Sequence, residues 1–286
     1  LAVSNVIAPG RSSVIQNEIS RGIYSGLTGE KAKAAYAMVI GICAELSFFV
    51  FNEKKLNKSN YLLILLYFLA TMLTSKRMLC VIILLEIGVA LKLFDFKGKS
   101  VKIILGGAIA LVAVFVITIT IPQTSNIVDR FMEASEDTSA GGRLMFWNYC
   151  IEMFKDKPII GYGINTFNKA FSDNVGYVFQ GSRWNMYAHS MYYELLGETG
   201  IVGIVLFGFF MLYSLVYSLR LFRNSCLSNV WKGLLWFSIS LQILFIVYGY
   251  SGNVLYDKAQ LFTYLSSISM LIAVSYHAFN EKEILI

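Results

Sequence analysis

The chain is poor in charged residues. Of its 286 residues, 15% are Asp, Glu, Lys or Arg, whereas a soluble domain carries about 25%. Hydrophobic residues make up 56% of the chain and aromatic residues 15%, and the mean hydropathy is +0.61. This composition predicts an integral membrane protein. The net charge of +6 is scattered among apolar runs, which favours contact with phospholipid and excludes a nucleic-acid patch.

Motifs for several common chemistries are also missing. The four cysteines show no metal-ligand spacing, and two lie inside apolar runs, so no disulfide framework is predicted. No Walker-type Gly-x-x-x-x-Gly-Lys-Ser/Thr is present, which argues against an ATP-driven engine. The sequence has no Asp-x-Asp, which disfavours metal-bound nucleotide-sugar transfer, and no His-Glu-x-x-His. We therefore expect neither a metal ion nor a cofactor.

The apolar part of the chain falls into seven segments that approach or reach the roughly 20 residues of a spanning helix. They cover residues 33–51, 60–74, 78–96, 102–121, 200–219, 232–250 and 259–277. The second and third segments meet at Thr74-Ser75-Lys76-Arg77, which predicts a tight hairpin. No signal-peptide pattern opens the chain. Because about thirty loop-like residues follow Leu1, we expect further spans before it.

Basic residues alternate between the connectors. One set of connectors holds Lys54, Lys55, Lys58, Lys92, Lys97, Lys99, Lys102, Arg220, Arg223, Lys232 and Lys282. The opposite short connectors hold only Lys76, Arg77 and Lys258. The positive-inside rule makes the first set cytoplasmic, so the hairpin at Arg77 and the long loop before residue 190 face outward.

The expected fold class is all-α, a polytopic transmembrane helix bundle. It has about seven spans, is N-terminally incomplete, and carries one large extracytoplasmic loop with an amphipathic helix. We divide it into an outer segment with four spans (1–121), the large loop (122–189) and three C-terminal spans (190–286).

The large loop has a predicted internal organisation. Ser139 is placed to cap a helix over about 141–156, which Pro158 ends. Apolar residues at helical spacing predict a stripe that packs on the membrane surface or on the bundle. The stripe consists of Leu144, Trp147, Cys150, Ile151 and Phe154. Gly161-Tyr-Gly163 is then a turn, and about 164–186 is predicted to be irregular.

Two arginines and one histidine are the candidates for chemistry. Arg143, in the first turn of the loop helix, either pairs with Glu136 or Asp137 or helps the helix N–H groups to bind a phosphate. Arg77 either snorkels to lipid headgroups or supplies a second cation for a pyrophosphate.

His189 is one of two histidines and immediately precedes an apolar helix. It is either part of an aromatic belt with Trp184, Tyr187, Tyr192 and Tyr193 or a general base, since its ordinary pKa is near 6.5. Glu194 and Glu198 lie one helical turn apart and either orient a partner or cap the helix start. His277 is interpreted as interfacial.

A set of these residues resembles a known family. The set comprises Arg143 and Trp147, the Pro158-x-x-Gly161-x-Gly163 turn, His189, Glu194 and the run Glu198-x-Gly200-Ile201-x-Gly203. It is similar to the shared C-terminal region of bacterial O-antigen ligases and O-antigen polymerases. Ser75-Lys-Arg77 is similar to that family's outward Ser-Arg, and Gly22-Ile-Tyr-Ser-Gly26 is a fainter match. Ser190 stands where the family often has Asn. The resemblance runs from about residue 21 onward.

The resemblance implies transfer of a glycan from undecaprenyl pyrophosphate to an acceptor sugar hydroxyl, without a metal and with inversion at the anomeric carbon. His189, Arg143 and Arg77 would be catalytic: His189 as the base and the arginines as a pyrophosphate clamp. The residues expected to bind substrate are Lys76, Trp184, Tyr187, Tyr193 and Glu194. The expected location is the bacterial cytoplasmic (inner) membrane, with the site on its outer face.

The implied partners are the lipid-linked oligosaccharide, an acceptor glycan or lipid A–core, membrane lipids, a chain-length regulator and a flippase, but no nucleic acid. The composition is rich in Ile, Lys, Asn, Ser, Phe and Tyr, which indicates an AT-rich genome. This slightly favours an O-antigen or capsule polymerase. The alternative within the family is a ligase that acts on lipid A–core. Outside it, the alternatives are a polysaccharide or solute transporter and a non-catalytic scaffold. A transporter predicts inverted repeats and helices broken at the midplane, neither of which is evident.

Overall fold

The computed structural model describes residues 30–51, 58–74, 76–93, 138–175, 187–223 and 227–284. Within these ranges all regular structure is helical, as predicted, and no strand occurs. Eight helices are present: α1 (Lys31–Phe51), α2 (Lys58–Leu73), α3 (Arg77–Leu93), α4 (Thr138–Asp156), α5 (Phe167–Val175), α6 (Met191–Phe222), α7 (Asn229–Tyr248) and α8 (Lys258–Ile284). They form two compact units that divide between Ser135 and Glu136.

Four of these helices are long and apolar enough to cross a membrane, namely α1, α6, α7 and α8. Helices α2 and α3 match the second and third predicted apolar segments but are only 16 and 17 residues long. The segment 102–121 lies outside the described residues. The chain is therefore a multi-pass membrane protein, and the count of seven spans remains a prediction.

The N-terminal unit contains the predicted hairpin. Helix α1 packs along α2, and α3 contacts both. Only Thr74 to Lys76 separate α2 from α3. The Thr74 N–H donates to the Thr71 carbonyl (3.2 Å), and the Leu79 N–H donates to the Lys76 carbonyl (3.1 Å). The first bond lies at the end of α2 and the second at the start of α3. Because the two helices are joined by so short a connector and contact each other, the hairpin is confirmed.

In the C-terminal unit, α7 packs against both α6 and α8. Its Trp236, Ile239 and Phe245 side chains are fully buried. By contrast, Phe209 of α6 and Phe262 of α8 are 67% and 72% exposed. Large apolar side chains exposed in this way are expected on helix faces that meet lipid hydrocarbon.

Buried hydrogen bonds join the three C-terminal helices. The Gln242 amide of α7 donates to the Ser218 hydroxyl of α6 (3.0 Å) and to the Ser238 hydroxyl (3.1 Å). The Ser238 hydroxyl donates to the Ser267 carbonyl of α8 (2.7 Å). Interhelical hydrogen bonds and small side chains hold helices together where the surrounding lipid removes the hydrophobic driving force.

Helix α6 is kinked at Gly200, which has φ 63° and ψ −162°. A new run of helix begins after the kink, and its first N–H groups have no carbonyl within the helix to bond to. The loop after α4 satisfies them: the Ile201 N–H donates to the Pro158 carbonyl (2.8 Å) and the Val202 N–H to the Ile159 carbonyl (3.2 Å). The loop and the kink therefore complete each other's backbone hydrogen bonds.

The predicted turn at 161–163 fits into the same kink. Gly161 and Gly163 both have positive φ, 67° and 107°. A Cβ at Gly161 would collide with the Glu198 carbonyl, so the close approach requires glycine. The Gly163 N–H donates to that carbonyl at 2.7 Å. The turn is confirmed, and it contacts the Glu198–Gly203 run far along the chain.

Two details of the predicted loop helix are wrong. Helix α4 begins at Thr138, so Ser139 lies within its first turn and Arg143 lies in the second turn. Two glycines, each costing about 1 kcal/mol relative to alanine in a helix, do not stop the helix there. Leu144 is 54% exposed, because the face that packs inward is centred on Cys150 and Met153. The helix ends at Asp156, as predicted.

The region predicted to be irregular also contains a helix, α5. Its Asn, Ser and Asp residues have modest helix propensity, so composition alone did not indicate the helix. Phe167 and Phe171 lie one turn apart and are both fully buried. Tertiary packing of such a pair overrides weak local preference. Residues 176–186 lie outside the described part of the chain.

We predict that Gly200→Ala destabilises the protein. Its backbone conformation is almost exclusive to glycine and costs other residues about 1–3 kcal/mol. A Cβ would in addition lie 2.5 Å from the Ile159 carbonyl oxygen. The measurement is the Tm of the purified protein in detergent. The control is Gly208→Ala, since no atom lies within 4 Å of a Cβ built there on the same helix. Equal Tm values for the two variants would contradict the role of the kink.

Candidate active site

One face of α4 carries four residues at helical spacing: Arg143, Phe146, Trp147 and Cys150. The Trp147 indole N–H donates to the Ala188 carbonyl at 2.9 Å. Cys150 is fully buried beneath it. Because Ala188 directly precedes His189, this bond holds the histidine segment against the same helix face that carries Arg143.

An aromatic cluster supports α4 from below. Phe146 meets Phe171 edge-on with ring centroids 5.0 Å apart, and Tyr149 meets the same ring at 5.2 Å. The Tyr149 hydroxyl donates to the Ala170 carbonyl at 2.7 Å. Edge-to-face pairs of this kind add about 0.5–1.5 kcal/mol each beyond the buried area. The cluster fixes α5 to α4 and gives the candidate site rigid support.

His189 lies in a short segment between this aromatic cluster and α6. Its φ of 55° is unusual for a residue other than glycine. The Phe146 ring centroid is 6.4 Å from the imidazole centroid, and the Asn253 side-chain nitrogen is 3.5 Å from Nδ1. The next residues are also anchored, since the Met191 N–H donates to the Gly249 carbonyl at 2.8 Å. The imidazole remains exposed.

Arg143 lies near Tyr248, the last residue of α7, which is followed by the connector to α8, residues 249–257. Its half-buried side chain lies within electrostatic reach of the Tyr248 hydroxyl, which Asp257 also influences. The connector contacts His189 through Asn253. Arg143 and the His189 segment thus meet on one face of α4, near the end of α7, although 46 positions separate the two residues in sequence. Glu136 and Asp137, the alternative partners of Arg143, lie outside the described residues.

Glu198 is fully buried at the kink of α6. Its Oε2 accepts the Asn165 N–H at 2.8 Å, and its Oε1 accepts the Phe167 N–H at 2.9 Å. The Tyr256 hydroxyl of the connector donates to Oε2 as well. A buried carboxylate needs such donors, because taking the charge out of water without partners costs several kcal/mol. Glu198 therefore links α6, the turn before α5 and the connector.

Two neighbouring groups are kept protonated by this environment. Burial, followed by the hydrogen bond to Glu198, raises the pKa of Tyr256 above its ordinary value of about 10. Burial also raises the pKa of the Cys150 thiol, and the Glu194 and Glu198 carboxylates raise it further. Tyr256 therefore acts as a hydrogen-bond donor, and Cys150 is an unreactive packing residue.

Glu194, predicted to bind substrate, has an internal partner. Its side chain is 2% exposed, and its Oε2 accepts the Ala188 N–H at 3.1 Å. It lies in the first turn of α6, where a carboxylate interacts favourably with the helix dipole. This bond gives Glu194 a part in holding the backbone before His189.

The comparison with known protein families extends this description. The family model described as O-antigen ligase matches residues 62–208, just over half of the chain. The chain belongs to the O-antigen ligase family. No curated protein matches it. The matched range includes Arg77, Arg143, His189 and Glu198, and it ends before the 249–257 connector.

The remaining predicted site residues of this O-antigen ligase family member are distributed as follows. Tyr193 stacks on Trp147 with centroids 4.7 Å apart, and Tyr187 stacks on Tyr256 at 5.6 Å. Both rings therefore pack within the candidate site. His277, which was interpreted as interfacial, lies on α8 and stacks on Trp231 of α7 with ring centroids 4.3 Å apart.

Three more predicted residues are not brought to this cluster by the described contacts. Lys76 ends the hairpin turn of the N-terminal unit, and Arg77 is the first residue of α3. Trp184 lies outside the described residues. Within the described ranges, no three His, Cys, Asp or Glu side chains come close enough to hold a metal ion.

The connector between α7 and α8 was not predicted to contribute to the site. The alternation of basic residues indicates only that residues 251–258 face outward, yet Asn253 and Tyr256 contact His189 and Glu198. A usable signal was present: a nine-residue stretch between two apolar spans contains Asn, Tyr, Asp and two glycines. Polar residues in so short a connector indicate contacts beyond a simple turn.

We predict that Glu198→Ala strongly destabilises the C-terminal unit. The variant leaves the buried Phe167 N–H without its acceptor, at about 1–3 kcal/mol, and removes an acceptor of the Asn165 N–H and of the Tyr256 hydroxyl. The measurement is the Tm in detergent together with the fraction of protein that stays monodisperse. The matched control is Glu152→Ala on α4, whose side chain is exposed. The interpretation of Glu198 is wrong if the Glu198→Ala and Glu152→Ala variants have the same Tm.

Proposed function

We propose that this protein transfers a glycan from undecaprenyl pyrophosphate to the hydroxyl of an acceptor sugar, and that it acts as an O-antigen or capsular polysaccharide polymerase. The observation that carries the proposal is that the segment holding the exposed His189 is bound to the face of α4 that carries Arg143, within a chain that belongs to the O-antigen ligase family. One residue offers a permanent cation and the other an exposed base. Displacement of a pyrophosphate by a hydroxyl needs both.

His189 is the proposed general base. Histidine suits this role because a neutral imidazole nitrogen has a lone pair that can take a proton. The acceptor oxygen bonds to the anomeric carbon as the bond from that carbon to the phosphate oxygen breaks. The hydroxyl proton passes to His189, and the lipid pyrophosphate leaves with the bonding electrons. Attack opposite the leaving group inverts the anomeric configuration.

Arg143 is the proposed partner of the leaving group. A guanidinium binds phosphate oxygens through two parallel N–H donors and stays charged at every relevant pH. Charge grows on the pyrophosphate as the anomeric bond breaks, so a fixed cation there lowers the barrier. Pyrophosphate is already a good leaving group, which is why we propose no metal. Arg77 keeps its proposed role as a second cation on the strength of the sequence alone.

The aromatic side chains around His189 are the proposed sugar path. Tyr187 and Tyr193 are half-buried, and each already stacks on another ring. Sugar rings pack well on such amphipathic surfaces, which combine an apolar face with a polar edge. The proposed location is the outer face of the cytoplasmic membrane, which follows from the distribution of basic residues over the connectors.

We predict that His189→Ala and Arg143→Ala each abolish surface polymer while the protein accumulates normally. The measurement is the glycan ladder of cells complemented with each variant. Arg143→Lys should restore little, because an ammonium cannot make the two-point contact.

Two controls match these variants in residue type. His277→Ala removes the other histidine, which stacks on Trp231. Arg220→Ala removes an exposed arginine near the end of α6. Both should leave the ladder intact. Full-length polymer from His189→Ala cells would overturn the proposed base.

Ligation is the second candidate, since the matching family model carries the description O-antigen ligase. Deletion of the gene separates the two. We expect loss of a polymerase to leave acceptors capped with single repeat units. Loss of a ligase would instead leave uncapped acceptors while polymer accumulates on the lipid carrier.

A further inference from the structure

We infer that Asn253 is a positioning residue for His189: its side-chain oxygen accepts the Nδ1–H of the imidazole and leaves Nε2 with the lone pair that takes the proton. The inference rests on the proposed function only for the role of that lone pair. The hydrogen bond itself is a property of the folded protein and is tested separately from activity.

The contact between the two side chains is the first support. The Asn253 amide nitrogen is 3.5 Å from His189 Nδ1. In this amide orientation the Asn253 oxygen is buried and has no hydrogen-bond partner among the described residues. An amide turned by 180° occupies the same space and places its oxygen opposite Nδ1. In that orientation the oxygen can accept the Nδ1–H, and the amide NH2 takes the buried position.

The second support is the rigidity of the backbone beneath Asn253. Its carbonyl accepts the N–H groups of Tyr256 and Asp257, both at 3.0 Å. Tyr256 is bound in turn to Glu198, and the Asp257 carboxylate accepts the Ala259 N–H at 3.0 Å at the start of α8. A side chain on such a turn is held in place and can orient a neighbour.

His189 needs an external partner of this kind. Its positive φ places the imidazole on a strained stretch of backbone, and its ring is exposed. A neutral imidazole carries one proton, which can sit on either nitrogen. A hydrogen bond from Nδ1–H to an oxygen selects the tautomer with an unprotonated Nε2. Donation by the amide nitrogen to Nδ1 would select the opposite tautomer, whose Nε2 carries the proton and cannot act as a base.

The test uses the small number of histidines. These 286 residues contain two histidines, so ¹⁵N-histidine labelling in detergent gives two imidazole signal sets from them, and His277→Ala assigns these sets. Spectra are recorded about two pH units above the ordinary histidine pKa of about 6.5. We expect a protonated Nδ1 and an unprotonated Nε2 for His189.

Two variants decide which atom of Asn253 makes the contact. Asn253→Asp can only accept a hydrogen bond, so it should preserve the tautomer. Asn253→Leu can neither donate nor accept a hydrogen bond, so it should give a mixture of tautomers. The inference fails if Asn253→Leu leaves the spectrum unchanged. It also fails if Asn253→Asp behaves as Asn253→Leu, because the amide nitrogen would then be the donor.

The same variants separate positioning from folding in an assay with purified lipid-linked repeat unit. Loss of a residue that orients a reactive group typically costs about 10–100-fold. We expect Asn253→Leu to lose that much in kcat with little change in KM, and Asn253→Asp to recover most of it. Equal losses in both variants would contradict the inference. Activity retained by His189→Ala would instead overturn the proposed function and leave the hydrogen bond standing.

Discussion

The carboxylate of Glu198 is the group on which the C-terminal unit depends. It is buried at the kink of α6 and accepts hydrogen bonds from the turn before α5 and from the connector between α7 and α8. A charge in this position is costly unless every oxygen is bonded, so the three segments must assemble together. Once they have done so, the backbone before α5, the start of α6 and the connector are held in one arrangement.

The kink at Gly200 extends that arrangement into a membrane span. A continuous helix would satisfy its own backbone groups and offer nothing to a neighbouring loop. By breaking the helix, Gly200 exposes N–H groups that bind the loop after α4, and Gly161 lets that loop approach. The exposed imidazole of His189 thus lies at the end of a fixed scaffold. Rigid support of this kind is what a reacting group requires.

Much of the fold was predictable because lipid imposes a simple rule on composition. A segment that crosses hydrocarbon must be helical and apolar, so the first, sixth and seventh segments were located to within a few residues. The hairpin before Arg77 and the turn at Gly161 followed from equally local signals. Helix α5 did not, because its two phenylalanines favour a helix only when the aromatic ring cluster of α4 is present to bury them.

The sequence by itself determined the class of the protein, the places where its helices lie, and the residues with unusual chemistry: two histidines, few charges, and glycines at fixed spacing. These are properties of composition and short-range pattern. Only the tertiary structure decided that the His189 segment binds the face of α4 that carries Arg143, that Glu198 is a buried acceptor, and that Asn253 reaches the imidazole. The physical reason is that such contacts join residues tens of positions apart, and no local preference specifies them.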